Sequence, residues 1–223
     1  MIGNPQRIVV IAPHPDDETL GTGGTIARFA ATGVEVSVLI VSGHLPPLYP
    51  LPAFETTRRE AEAALNLLGA RHWEFLQIPA TKVHELPVAE LNEKIAGYIR
   101  RINPEVVLLP FPDRHIDHRV IFDASVVACR PVHRDAPKLV LAYETLSETH
   151  WNAPGIEPAF VPELFVDISD VMQRKSEALA HYASQLQHSP SRSVDAVKAL
   201  ARFRGSQNGC EYAEAYKVIR AVV

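Results

Sequence analysis

The sequence predicts an α/β protein, a three-layer sandwich in which a mostly parallel sheet is flanked by helices. Three observations carry that prediction. Short β-branched runs alternate with segments of helical period along the chain. Glycine or proline stands where several of those helical segments should stop. Two clusters rich in metal-type side chains, His14-Pro15-Asp16-Asp17-Glu18 and His115-Ile116-Asp117-His118, follow strand-like runs, which is where an open α/β sheet presents its ligands.

The first strand is Arg7 to Ala12, and Val34 to Val41 reads as the second. Between them, Thr25 to Thr32 is the last part of a crossover helix ended by Gly33, giving a βαβ unit of right-handed connection. Glu55 to Leu68 carries Ala61, Leu65 and Leu68 at helical spacing and stops at Gly69, and Trp73 to Ile78 is a third strand. Leu91, Ile95, Ile99 and Ile102 form an apolar stripe on a helix that starts near Val88 and ends before Pro104. Glu105 to Leu109 follows as the fourth strand. A proline-rich turn then leads through the second cluster into a helix over Asp117 to Cys129, with Val120, Ile121, Ala124, Val127 and Ala128 as its inner face.

Lys138 to Glu144 is the fifth strand and Leu164 to Ile168 a short sixth. Ser169 is expected to cap a helix running towards Ala183. Two further helices are predicted in the tail, over Ser193 to Phe203 and Glu211 to Val222. Gly43 to Ala53, with four prolines, and Thr145 to Pro162, which contains Trp151, show no regular period. Both follow strands, so both are expected to overhang the site, as long connections in compact domains usually do for functional reasons. With no internal repeat or linker, residues 1–223 are expected to form one domain.

Composition narrows the function classes. The chain is 47% hydrophobic and 22% charged, as in ordinary globular proteins. No apolar run approaches the roughly 18 to 20 residues of a spanning helix, and the start lacks a signal-peptide layout, so a cytoplasmic protein with no transmembrane segment is expected. A formal charge of -4 offers no basic field for a phosphate backbone, which argues against a nucleic-acid partner. Cys129 and Cys210 show no CxxC spacing and are expected to be plain packed thiols. Apolar residues in Leu45 to Phe54 offer a surface for a homo-oligomer.

The two clusters carry the chemistry. Residues three apart in a helical turn lie on one side, so His14 and Asp17 reach a common ion while Asp16 projects at an angle towards a water. A second imidazole completes a mixed nitrogen and oxygen set of the kind found in catalytic zinc centres that keep a position open. Spacing alone leaves His115 and His118 both eligible as that imidazole, and Asp117 is placed to orient one of them through a ring N–H. Zinc heads the metals suited to this set, although ligand type also admits iron or manganese. The alternative is bland: Asp16, Asp17 and Glu18 as carboxylates at a helix N-terminus, and surface histidines. The glycines of Gly21-Thr22-Gly23-Gly24 miss the order of a dinucleotide loop and are expected to permit close approach of a substrate or a neighbouring element. His44 and His150 lie in the two irregular segments and are candidate substrate contacts. His72, His84, His133, His181 and His188 read as surface residues.

Ala12-Pro13-His14-Pro15-Asp16-Asp17-Glu18, the stretch Asp113 to His118 and the glycines after the first cluster resemble the LmbE/PIG-L family of zinc-dependent N-acetylglucosaminyl deacetylases. Weaker blocks extend the likeness along the chain: Arg59-Glu60 through Gly69, Tyr143-Glu144, Phe165 to Ile168 with Lys175 beyond, Ser184-Gln185, and Arg204-Gly205 to Glu214. The resemblance implies a Rossmann-like fold and a zinc ion held by His14, Asp17 and His118. It also implies Asp16 as general base, His115 stabilising or protonating the reacting amide, and a metal-bound water attacking the acetyl group of a small amino sugar or its conjugate. One departure matters. The family often places Thr-x-Gly-Glu after its second strand, where this chain has Val41-Ser42-Gly43-His44, so that glutamate's role does not carry over. Two rivals stand beside this reading. A nucleotidyl transferase would also use two histidines near a strand end, but the acidic cluster would repel phosphates. A non-catalytic sugar- or nucleotide-binding module would have no use for the spare carboxylate of Asp16.

Overall fold

The computed structural model describes residues 5–186 and 190–222. Its strands are β1 (Arg7–Ala12), β2 (Glu35–Gly43), β3 (His72–Pro79), β4 (Val106–Pro110), β5 (Leu139–Tyr143), β6 (Leu164–Asp167) and β7 (Ala213–Ala221). The helices are α1 (Asp17–Ala31), α2 (Leu51–Leu68), α3 (Val88–Ile102), α4 (Ile116–Ala128), α5 (Met172–Ala180), α6 (Ala183–Leu186) and α7 (Val194–Ser206). One sheet takes all the strands in the order β3-β2-β1-β4-β5-β7-β6. β1 to β5 run parallel, and β7 is antiparallel to both neighbours.

Side chains of β1 alternate between two cores. Ile8, Val10 and Ala12 pack with Ile26 of α1, Leu65 and Leu68 of α2 and Leu179 of α5. Val9 and Ile11 pack on the other face with Ile95 and Ile99 of α3 and Ile121 of α4. Burial on both faces is why the central strands read as continuous apolar runs rather than alternating ones. The predicted mostly parallel α/β architecture is therefore the one observed. Because β2 lies on one side of β1 and β4 on the other, the strand order reverses at β1, and the crevice beyond β1 and β4 is the topological switch point.

The predicted terminators act as expected at two helices. Gly69 ends α2 with φ 85°, and Asn103 ends α3 with φ 52° just before Pro104. Three expectations need correction. The tail segment Glu211 to Val222 is not a helix. Its alanine, glutamate, lysine and arginine content suits a helix by propensity, but it fills the gap between β5 and β6 as β7, pairing Tyr143 with Tyr216 and Leu164 with Tyr216. Ser169 does not cap the long helix. It opens a short 3₁₀ turn, and its Oγ donates to Asp167 Oδ1 (2.6 Å) while Val171 takes the N-cap position of α5. Part of the irregular segment Gly43 to Ala53 is already helical, since α2 begins at Leu51 with Pro52 in its first turn, where a missing N–H costs nothing.

The glycines of α1 serve close packing. A Cβ added at Gly21 would lie 2.2 Å from Tyr143 Cδ2, and one at Gly24 would lie 2.7 Å from Ile168 Cγ2. Tyr143 has no room to yield, being fully buried with its hydroxyl donating to Ile11 O at 2.8 Å. Helix propensity alone favours alanine over glycine by about 1 kcal/mol. Overpacking opposes it, and Gly21→Ala is expected to lower stability by about 1–3 kcal/mol in urea titrations.

Candidate active site

The two sequence clusters converge at the switch point. His14 lies in the short link between β1 and α1, Asp16 is the residue before α1, and Asp17 opens it. The link after β4 carries Asp113 and His115, and α4 supplies Asp117 and His118 from its first turn. One ring nitrogen from each of His14, His115 and His118 lies within 4.8 Å of the others.

Asp17 Oδ2 is the centre of the arrangement. It accepts from His14 N at 2.9 Å, lies 3.1 Å from His14 Nδ1 and lies 3.2 Å from His118 Nε2. The far nitrogens of both rings rest on other carboxylates. His14 Nε2 meets Asp117 Oδ2 at 3.0 Å, and His118 Nδ1 meets Asp113 Oδ2 at 3.0 Å. Those carboxylates are themselves fixed. Thr81 N donates to Asp117 Oδ2 (2.7 Å), while Thr149 Oγ1 and His115 N donate to the two oxygens of Asp113 (3.0 Å each). Charge follows this geometry. Burial pulls the His14 pKa down, but the bonds to Asp117 and Asp17 outweigh it and hold the ring up at about 9. His118 is likewise buried, yet the charges of Asp17 and Asp113 bring it up to about 10. Burial would raise Asp17, but His118 and His14 keep it well below the usual carboxylate range.

His115 differs from the other two. Its Nδ1 accepts from the Asp117 backbone N–H at 3.1 Å, capping α4. A neutral ring that accepts through Nδ1 carries its proton on Nε2. Burial and the charges on His14 and His118 push its pKa down to about 4, so the ring is neutral near pH 7. Asp117 was expected to orient a histidine of its own cluster. The Asp117 side chain reaches across to His14 at 3.0 Å and stays 4.0 Å from His115 Nδ1, and Asp113 orients His118.

Asp16 is buried, and its backbone sits at φ 116°, a conformation that non-glycine residues rarely adopt. Glu18 holds that turn. Its Oε2 accepts from Asp16 N at 3.2 Å, and its Oε1 accepts from Thr19 Oγ1 at 2.6 Å and from the Tyr182 hydroxyl. Asp16 Oδ2 makes no hydrogen bond, and Arg192 Nη1 lies 3.6 Å away. Burial and the charge of Asp17 raise the Asp16 pKa to about 8 against the lowering pull of Arg192. A small cavity of about 80 Å³ is lined by Asp16, His14, His115, His118 and Arg192. A larger groove of about 590 Å³ between α3 and α4 holds none of these residues.

Both irregular segments reach the site. The one after β2 contributes His44 and Tyr49 to the cavity wall, and the one after β5 contributes Glu148, which pairs with Arg192 at 3.0 Å. His150 is held by Glu144 (3.4 Å), which also receives two bonds from Arg204 at 2.8 and 2.7 Å, so His150 braces a loop and does not line the cavity. His72, His84, His133 and His181 are exposed, as expected, and His188 lies outside the described residues. Cys129 is buried, Cys210 is half-buried, and both are free. Arg192 and Thr81 were not legible as site residues, because no spacing ties them to either cluster, while Tyr49 comes from the segment expected to overhang the site and Gln185 from a block that carried no assigned role.

Among the described residues no helix is long and apolar enough to cross a membrane. Residues 9–129 match the family model described as PIG-L, GlcNAc-PI de-N-acetylase. The chain is similar to the diacetylchitobiose deacetylase of Thermococcus kodakarensis, at 29% identity over 97% of this chain and 84% of that protein. A solved structure of a conserved protein from Thermus thermophilus aligns with a TM-score of 0.76 and 30% identity over 97% of this chain and 96% of that one. The 4-carboxy-2-hydroxymuconate hydratase of Pseudomonas putida shares the fold, with a TM-score of 0.78 at 22% identity over 98% of each chain. Fold alone therefore does not choose a reaction, and the side chains must. The family model covers both elements that build the site, β1 with α1 and β4 with α4, and more than half the chain, so this protein belongs to the PIG-L family of de-N-acetylases.

Proposed function

We propose that the protein is a metal-dependent hydrolase that removes the acetyl group from an N-acetylglucosamine-type amino sugar or conjugate. The observation that carries this reading is Asp17 Oδ2, lying 3.1 Å from one imidazole and 3.2 Å from another, beside Asp16, whose Oδ2 makes no hydrogen bond.

The donor set fits a divalent transition ion, zinc first. His118 Nε2 is buried and makes no hydrogen bond, and the two raised histidine pKa values mean that protons supply positive charge beside Asp17. An ion there would take over that charge and leave both rings neutral, each steadied by a carboxylate on its far nitrogen in the usual carboxylate–histidine–metal pattern. His14, Asp17 and His118 are thus the proposed ligands. His115 is set apart from them by its tautomer, since an Nε2 that carries a proton has no lone pair to offer.

An ion held by these residues would supply Lewis acidity and lower the pKa of a nearby water. Asp16, free of hydrogen bonds on Oδ2, accepts the proton from the attacking water. Neutral His115 offers its Nε2–H to the oxygen of the amide carbonyl as charge develops there, a fixed donor of the kind that dominates such steps. Protonated Asp16 and His115 both border the cavity in which the departing amine takes up a proton.

The test is acetate release from N-acetylglucosamine and its conjugates by protein loaded with stoichiometric zinc. Release is expected from the loaded protein, loss after EDTA treatment, and recovery on adding zinc back. Activity that survives complete chelation would rule out the metal-dependent reading. Turnover of nucleoside triphosphates by the chelated protein would support the transferase in its place.

A further inference from the structure

Asp16 is held through its backbone, whose N–H donates to Glu18 Oε2 at 3.2 Å. Its side chain is not tied in the same way, since Oδ2 is buried without a hydrogen bond. Asp17 and Glu18 follow directly in the chain and are buried as well, so like charge presses on the Asp16 carboxylate from that side. A carboxylate taken out of water needs a partner of opposite charge. Arg192 supplies one, with Nη1 3.6 Å from Asp16 Oδ2, an ion-pair distance rather than a hydrogen bond. Among the described residues it is the only lysine or arginine that lines the small cavity.

Arg192 is itself built into place. Its Nε donates to Ser147 Oγ at 3.1 Å, and its Nη2 donates to Glu148 Oε1 at 3.0 Å. Both partners belong to the segment after β5, and Ser147 is buried with φ 82°, a left-handed conformation that non-glycine residues rarely adopt. On the backbone side, Arg192 closes the 3₁₀ turn Pro190–Arg192, and Ser193 beside it caps α7 by accepting from Ala196 N at 3.2 Å. With Nε and Nη2 engaged, the guanidinium plane is fixed and Nη1 is left facing Asp16. A lysine could not do this, because a single ammonium on a flexible stem offers no rigid fork to span Ser147, Glu148 and Asp16 together. Flanked by the carboxylates of Glu148 and Asp16, the guanidinium is already matched in charge, so its place in the cavity is better suited to arranging the protein's own groups than to capturing an anion.

We propose that Arg192 is a positioning residue for the reaction: its guanidinium, braced by Ser147 and Glu148, fixes the direction in which the Asp16 carboxylate meets the attacking water. The proposal rests on the deacetylase reading, in which Asp16 takes the proton of that water. Arg192 acts through Asp16, so its effect falls on turnover and not on substrate binding.

The experiment is a double-mutant cycle on zinc-loaded protein, comparing the wild type, Arg192→Gln, Asp16→Asn and the variant carrying both, with kcat and KM measured separately for acetate release from N-acetylglucosamine and N,N'-diacetylchitobiose. The Arg192 side chain is 26% exposed, so Arg192→Gln is expected to fold and to keep its zinc, as checked by thermal melting and metal content. Its kcat should fall by about 100-fold, the cost of misplacing a reacting group by about 1 Å, with KM within about threefold of wild type. A residue that acts through Asp16 has nothing left to position once the carboxylate is gone, so the double variant should be about as slow as Asp16→Asn alone. Near-normal kcat, a rise in KM that accounts for the loss, zinc lost from Arg192→Gln, or losses that multiply in the double variant would each overturn the proposal. Should Arg192→Gln not fold, Arg192→Lys, which keeps the charge but not the planar fork, takes its place in the same cycle. Absence of acetate from both sugars with the wild type would count against the deacetylase reading instead. Crystal structures of the wild type and Arg192→Gln would then decide the positioning: an Asp16 carboxylate turned from its wild-type rotamer supports it, and an unchanged rotamer refutes it.

Discussion

Asp16→Asn is expected to keep its metal and to lower acetate release by about 10²–10⁴, the range that loss of a general base commonly costs. Asparagine preserves the shape of the side chain and tolerates the positive φ of 116° better than most residues, so the turn held by Glu18 should survive. What is lost is a carboxylate able to take a proton. Metal content measured beside turnover separates the two effects, and near-normal turnover would remove Asp16 from the role. The pH profile provides a second reading of the same residue. A base works only when deprotonated, so kcat/KM should rise with pH through the Asp16 pKa, which stands at about 8 with no ion beside it. A divalent cation next to Asp17 stabilises the deprotonated form, so the rise in loaded enzyme should fall below pH 8. In Asp16→Asn that acidic limb should disappear from whatever activity is left.

The second large effect separates two histidines that the sequence presents as near equals. His118→Ala should lower metal affinity by more than about 100-fold, beyond what the loss of an outer partner costs, whereas Asp113→Ala should cost about 10–100-fold through the ring it holds. His115→Ala should leave affinity within about tenfold of wild type while lowering turnover, since its Nδ1 is engaged by the Asp117 backbone N–H. Dialysis against a chelator of known affinity measures all three. Equal metal loss from His115→Ala and His118→Ala would mean that the ligand set includes His115.

Much of this protein is determined by its sequence because the signals concerned are local. Continuous apolar runs mark strands buried on both faces, as in β1 with its two cores, and Gly69 marks a helix end because it reaches φ 85° without strain. Six residues of the two clusters, His14, Asp16, Asp17, His115, Asp117 and His118, stood out as a candidate set because metal-type and ionisable side chains recur at short spacing after two strands, and the fold brings them together. Tertiary structure decided the rest. The segment Glu211 to Val222 has the composition of a helix, and it is a strand because β5 and β6 leave a slot whose backbone groups need partners. Asp117 serves His14 across 103 residues of chain, and Asp113 serves His118, while the His115 ring caps α4. Arg192 reaches Asp16 from the 3₁₀ turn Pro190–Arg192 ahead of α7, far in sequence from either cluster. Periodicity and residue type encode what a segment can do with its own neighbours. Which carboxylate meets which imidazole depends on contacts between distant segments, and those exist only once the sheet has formed.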